Sequence, residues 1–153
     1  DPLEASGLFP DGASARTPVT GTVARDADLS PVPDRIPFAI TPDLLRRGQE
    51  RFDVFCAPCH GSTGEGDGMI VQRGFPAPPS FHQPALRSAP DRHFHNVITD
   101  GYGVMYPYAS RVPPDDRWAI VAYIRALQYS RHAPVDNLPQ RLRDRLGPAG
   151  GAS

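Results

Sequence analysis

The sequence predicts a mainly α domain with a loop-rich middle, set between two long irregular arms. Three observations carry that expectation: two segments with helical apolar spacing and clear start signals, a Gly- and Pro-rich stretch between them, and no convincing β alternation. The chain has 153 residues, with 19 prolines, 14 glycines and 39% hydrophobic residues. Those proportions bound it to one modest domain that struggles to bury enough apolar surface by itself.

Residues 1–40 form the first arm. They carry prolines at 2, 10, 18, 31, 33 and 37 and no apolar periodicity, which suits an extended segment better than a packed unit. Scattered along them are Leu3, Leu8, Phe9, Val19, Val23, Ile36 and Phe38, spaced as anchors that a purely solvating linker would not need. The domain spans residues 41–130. Its first helix opens at Thr41-Pro42-Asp43, with Thr as N-cap, Pro at the first helical position and an acid in the first turn. Leu44, Gly48, Phe52 and Phe55 then share one face, and Gly48 leaves room for a second helix to approach closely. From Gly61 to Gly68 and from Gly74 to Pro79 loops should dominate, followed by a short helix over about 91–99 with Phe94, Val97 and Ile98 inward. The last strong helix runs from about Pro114 to Tyr129. Its apolar stripe of Ile120, Tyr123, Ile124 and Leu127 is expected to cross the Gly48/Phe52 face. Residues 131–153 form a second irregular arm whose Arg141, Arg143 and Arg145 read as a solvated short helix or tail.

The 16 basic residues, all arginine, stand against 17 acids. A net charge of −1 gives no attraction for nucleic acid. The longest apolar run, Trp118 to Ile124, is far below the roughly 20 residues of a spanning helix. The polar start at Asp1-Pro2-Leu3-Glu4 lacks the features of a signal peptide, so the chain reads as processed or trimmed.

The two cysteines fall together in Cys56-Ala57-Pro58-Cys59-His60. A zinc site would need four ligands and usually a second cysteine pair. A thioredoxin-like site would need a strand before the pair, where here a helix leads in. Covalent attachment of one haem c needs two thiols spaced to add to two vinyl groups and an imidazole directly after them to ligate iron. Cys56, Cys59 and His60 supply all three, and the covalent macrocycle becomes the missing core. Phe75, Phe81, Val97, Ile98, Tyr102 and Val104 are candidate pocket lining.

A sixth iron ligand separates an electron carrier from an enzyme with an open position. Met105 is the expected one, because Gly101-Tyr102-Gly103-Val104-Met105-Tyr106-Pro107 is a Gly-rich loop stiffened by proline before the last helix. Met69, His82, His93 and His95 are the alternatives, and the histidines read first as exposed polar residues. The other ring N–H of His60 should meet a carbonyl, for which the loop prolines Pro76, Pro78 and Pro79 are candidates and Pro79 is chosen. Arg47, Arg51 and Arg73 are possible propionate partners.

With these residues in place, residues 41–130 resemble the class I cytochromes c. More narrowly, Arg47 to Phe52, Gly64-Glu65-Gly66-Asp67-Gly68, Phe75 to Phe81, Val97 to Gly101 and Asp116 to Val121 look like the monohaem cytochrome c subunit of bacterial alternative complex III, the ActE family. The Pro-rich amino-terminal extension fits the same picture. That resemblance implies a cytochrome on the periplasmic or extracytoplasmic face of the cell membrane, often lipid-anchored. It also implies a menaquinol-oxidising membrane complex with a multihaem cytochrome, an iron–sulfur subunit and a downstream electron acceptor. Two other readings stand beside it: a free periplasmic cytochrome or the haem subunit of a dehydrogenase or terminal oxidase, and an enzyme or sensor with an open iron site.

Overall fold

The computed structural model describes residues 7, 8, 10, 12, 19, 21–23 and 30–146, and the chain divides into two compact units, 1–31 and 32–153. Among the described residues of the first unit, Leu8, Val19 and Val23 are exposed and Thr22 closes a turn onto the carbonyl of Val19. Leu3 and Phe9 lie outside the described residues, as does the carboxyl end from 147.

The second unit is mainly helical, with α1 (Pro42–Phe55), α2 (Ala57–His60), α3 (Pro84–Ser88), α4 (Asp91–Asp100), α5 (Pro114–His132) and α6 (Gln140–Leu146). Short 3-10 turns lie at Val71–Arg73 and Val135–Asn137, and no strand occurs among the described residues. The expected helices over 41–55, 91–99 and 114–129 are all present, and the mainly α fold agrees with the sequence reading.

Helix α1 starts where Thr41 Oγ1 accepts from the Leu44 N–H at 3.1 Å. It ends because Pro58 has no N–H to continue the ladder, and the chain restarts as α2 one residue after Cys56. The α1 and α5 helices pack at Gly48. A Cβ there would stand 2.0 Å from the Ala119 carbonyl oxygen and 3.0 Å from Tyr123 Cβ. One turn along, the fully buried Phe52 meets the Tyr123 ring edge-on at 5.3 Å. The buried core is built from Phe52, Phe81, Phe94, Ile98, Val112, Trp118, Ile120, Val121 and Ile124.

Helix α5 departs from the single apolar stripe expected of it. Burial runs continuously from Asp116 to Ala122 and includes Ile124 and Gln128, because α1 and α4 both pack against it. Its buried Asp116 and Arg117 and its half-buried Arg125 are each partnered. Asp116, in the first turn, takes a two-pronged contact from Arg47 (2.7 and 2.9 Å), which suits a carboxylate at a helix N-terminus. Arg117 donates to the carbonyl of Val112 (2.9 Å), the hydroxyl of Thr99 (2.9 Å) and the carbonyl of Ala109 (3.4 Å). Arg125 meets Asp91 at 2.6 Å and lies over the Phe94 ring at 4.8 Å.

Part of the segment expected to be arm belongs to the packing of the helical domain. Val32 and Ile36 lie against the core, the Ile36 N–H donates to Asp91 Oδ2 at 3.2 Å, and Arg92 pairs with Asp34 at 3.0 Å. Among the described residues no helix is long and apolar enough to cross a membrane.

Candidate haem site

The site is assembled from two ends. At the first, α1 delivers Cys56 and α2 carries Cys59 and His60. The loop that follows folds back on α2 and satisfies its last carbonyls: Gly66 donates to His60 (2.8 Å), Gly68 to Cys59 (3.1 Å) and Ile70 to Pro58 (3.0 Å). Both cysteines are free and half-buried. Burial, with the nearby Cys59 and Asp53, pushes the Cys56 thiol up to about 12. A thiol held protonated in this way is a poor redox nucleophile, which argues against thioredoxin-like use of the pair. Among the described residues no group of three or more His, Cys, Asp or Glu side chains is placed to hold a metal ion, so a zinc site lacks its remaining donors.

Burial lowers His60 to about 4, so its imidazole is neutral at physiological pH, the form that ligates a metal. The ring stacks on Phe81 at 4.6 Å with planes 12° apart. Its Nδ1 is buried and has no hydrogen-bond partner. The bond expected from this atom to the carbonyl of Pro79 is therefore not formed here. The neighbouring Pro78 carbonyl instead closes on Gly66, lying 2.2 Å from where a Cβ would stand.

At the other end, α4 stops at Gly101, whose φ of 78° belongs to the region that glycine tolerates. A side chain there would also strike the Met105 carbonyl oxygen at 2.5 Å. Tyr102 and Met105 then exchange backbone hydrogen bonds (3.1 and 2.9 Å), closing a tight turn. Tyr108 N–H returns to the Ile98 carbonyl at 2.9 Å, and the Arg117 contacts fix the segment that follows. Met105 is half-buried and packed on the core, whereas Met69 is 53% exposed.

A cavity of about 570 Å³ opens beside this loop, lined by Phe75, Asp100 and residues 101–107, Met105 among them. That volume falls in the range of cofactor pockets, roughly 300–1,000 Å³. Cys56, Cys59 and His60 are not part of this lining. The link between the two ends is Tyr108, three residues after Met105. It meets the Phe55 ring at 6.3 Å, and burial together with the adjacent Cys56 and Cys59 raises its hydroxyl pKa. Sequence reasoning passed over Tyr108, although its place just after the Met105-Tyr106-Pro107 turn marks where the loop must return.

Of the expected pocket residues, Phe81 and Ile98 are buried and Val97 is half-buried, while Phe75, Tyr102 and Val104 are exposed on the cavity rim. Arg47 and Arg51 are committed to Asp116 and Glu50 rather than turned to the cavity. His95, read first as exposed, is 5% exposed and stacked on Trp118 at 4.3 Å.

Two free thiols at the required spacing and a neutral imidazole with an orphaned ring nitrogen fit attachment of a covalent haem c, and Met105 offers a thioether on the wall of the separate cavity. The helical fold and this donor set define a class I cytochrome c domain. The family profile described as cytochrome C oxidase, cbb3-type, subunit III, matches residues 43–124, more than half of the chain, and the protein belongs to that family. Membership implies a covalent haem c and an electron carrier rather than an enzyme. No curated protein matches the chain.

Proposed function

We propose that the protein is the monohaem electron-transfer subunit of a quinol-oxidising membrane complex of the alternative complex III kind, with His60 and Met105 as axial ligands. Haem c, held through Cys56 and Cys59, supplies one-electron iron chemistry. His60 would offer a neutral imidazole and Met105 a clamped thioether as iron ligands, which would leave no open position for a substrate. The observation that carries the ligation is Met105 itself, half-buried on the wall of the cavity in a loop tied to α4 at one end and to Arg117 at the other.

Complex membership rests on other support. The domain's charge is balanced, nine arginines against nine acids over residues 41–130, whereas a diffusing shuttle uses one-sided charge to steer encounters. The exposed apolar residues Leu8, Val19 and Val23 suit a segment that lies along neighbouring subunits. In this reading the cytochrome sits on the periplasmic face of the membrane, takes electrons from a multihaem partner subunit and passes them to a downstream acceptor. The matched family's description favours a second reading, a cytochrome subunit of a terminal oxidase. Gentle solubilisation and identification of the co-purifying chains separates the two. A multihaem cytochrome and an iron–sulfur subunit support the first, an oxidase catalytic subunit supports the second, and isolation as a single chain overturns both.

A further inference from the structure

We infer that Gln128, on α5, is a positioning residue for the proximal imidazole, acting through Phe81; the inference rests on His60 being an iron ligand. An imidazole ligand is ordinarily held in orientation by the acceptor at its second nitrogen. Here Nδ1 of His60 is buried without one. A contact that bears directly on the ring plane is the Phe81 ring, 4.6 Å away and within 12° of parallel.

Phe81 is in turn held from several sides. Its N–H donates to the Gly64 carbonyl at 2.9 Å, and its ring meets Phe94 edge-on at 6.1 Å and Phe52 at 6.2 Å. Its carbonyl accepts from Gln128 Nε2 at 2.8 Å, a bond between two buried groups. Gln128 cannot turn away, because its Oε1 accepts from Arg125 at 2.8 Å and Arg125 is anchored on Asp91 at 2.6 Å. A polar chain thus runs Asp91, Arg125, Gln128, Phe81 carbonyl, half-buried at its start and buried at Gln128, and ends one aromatic stack from His60. Burial makes the Gln128–Phe81 bond costly to leave unmade, and the Arg125 contact holds Gln128 in the one orientation that forms it.

The test uses the full-length ferric haem protein. The hyperfine-shifted haem methyl resonances in its proton spectrum report the orientation of the axial imidazole plane. Gln128→Glu keeps the side-chain size and the Arg125 contact but removes the N–H that Phe81 accepts. It should change the spread of the four methyl shifts and move the reduction potential. Phe81→Leu should alter the same shifts, and adding Gln128→Glu to Phe81→Leu should change nothing more. Ile124→Val, which trims the core on the same helix, should leave the pattern native.

Native methyl shifts in Gln128→Glu overturn the inference. So does a full Gln128→Glu effect on the Phe81→Leu background, or an Ile124→Val pattern that matches it. If Gln128→Glu does not retain haem, Phe81→Leu decides alone, and a native pattern there refutes the relay. Failure of His60 ligation is seen separately, as a parent protein that carries covalent haem without a six-coordinate low-spin spectrum, and it overturns both readings.

Discussion

The carbonyl oxygen of Ala119 occupies the space that a side chain on residue 48 would need, 2.0 Å from the position of a Cβ on Gly48. The atom is backbone and cannot swing aside as a side-chain tip would. Gly48→Ala gains the roughly 0.5–1 kcal/mol of helix preference that alanine holds over glycine. It loses more by forcing α1 and α5 apart, since overpacking costs about 1–3 kcal/mol. The net expectation is destabilisation, with a lower denaturant midpoint in the haem-containing protein. A midpoint at or above the parent's would mean that the helices can separate freely.

Met105→Ala should abolish the weak near-infrared band of methionine-ligated ferric haem and lower the reduction potential. Met69, 53% exposed, should be replaceable by alanine without change in either. The reverse pattern assigns the sixth position to Met69.

His95 provides a pH dependence. Burial first, and then the nearby Arg117 charge, lowers its pKa below the ordinary 6.5. The unfolded chain therefore binds a proton at a pH where the folded chain does not. Stability from this group is present above about 6.5 and is lost as pH falls through that value toward the lowered folded pKa. His95→Phe, which keeps a ring against Trp118, should flatten the fall in unfolding free energy between pH 7 and 5. An unchanged slope would place the acid sensitivity elsewhere.

Deletions of the amino-terminal segment should behave in two stages. Removing residues 1–31 should leave the spectrum, potential and melting temperature intact while releasing the cytochrome from the complex proposed above. Extending the cut beyond Ile36 should also lower stability, by about 1.5–3 kcal/mol for the loss of one well-buried aliphatic contact and less where burial is partial. Full retention of the 1–31 deletion in the complex would move the docking role to the haem domain.

The helices and the attachment motif were legible because local rules decided them. Thr41-Pro42-Asp43 is a start signal in any context, and the Gly48/Phe52 spacing names a packing face. The Cys56-to-His60 spacing states its chemistry directly. Buried polar groups were illegible for the opposite reason. Asp116, Arg117 and Gln128 have the composition of a solvated face, and only the arrival of α1 and α4 on two sides of α5 makes them interior. His95 was misread in the same way, since a histidine's burial depends on a partner 23 positions away, Trp118. The boundary of the arm was obscured because Val32 and Ile36 sit among prolines, and their docking rests on contacts with α4, Ile36 to Asp91 and Asp34 to Arg92, that no local pattern marks.

The Arg117 clamp bears on the speed of electron exchange. One guanidinium holds Thr99 at the end of α4 and the carbonyls of Ala109 and Val112 beyond the Met105 turn, so the segment carrying that sulfur is fixed on both sides. Were Met105 the iron ligand proposed above, a change of oxidation state would meet a ligand with little room to relax. Separation from the neighbouring redox centre and driving force, rather than ligand rearrangement, would then set the rate. Under the same ligation, small anions such as cyanide would displace the thioether slowly, at a rate that Arg117→Met should raise.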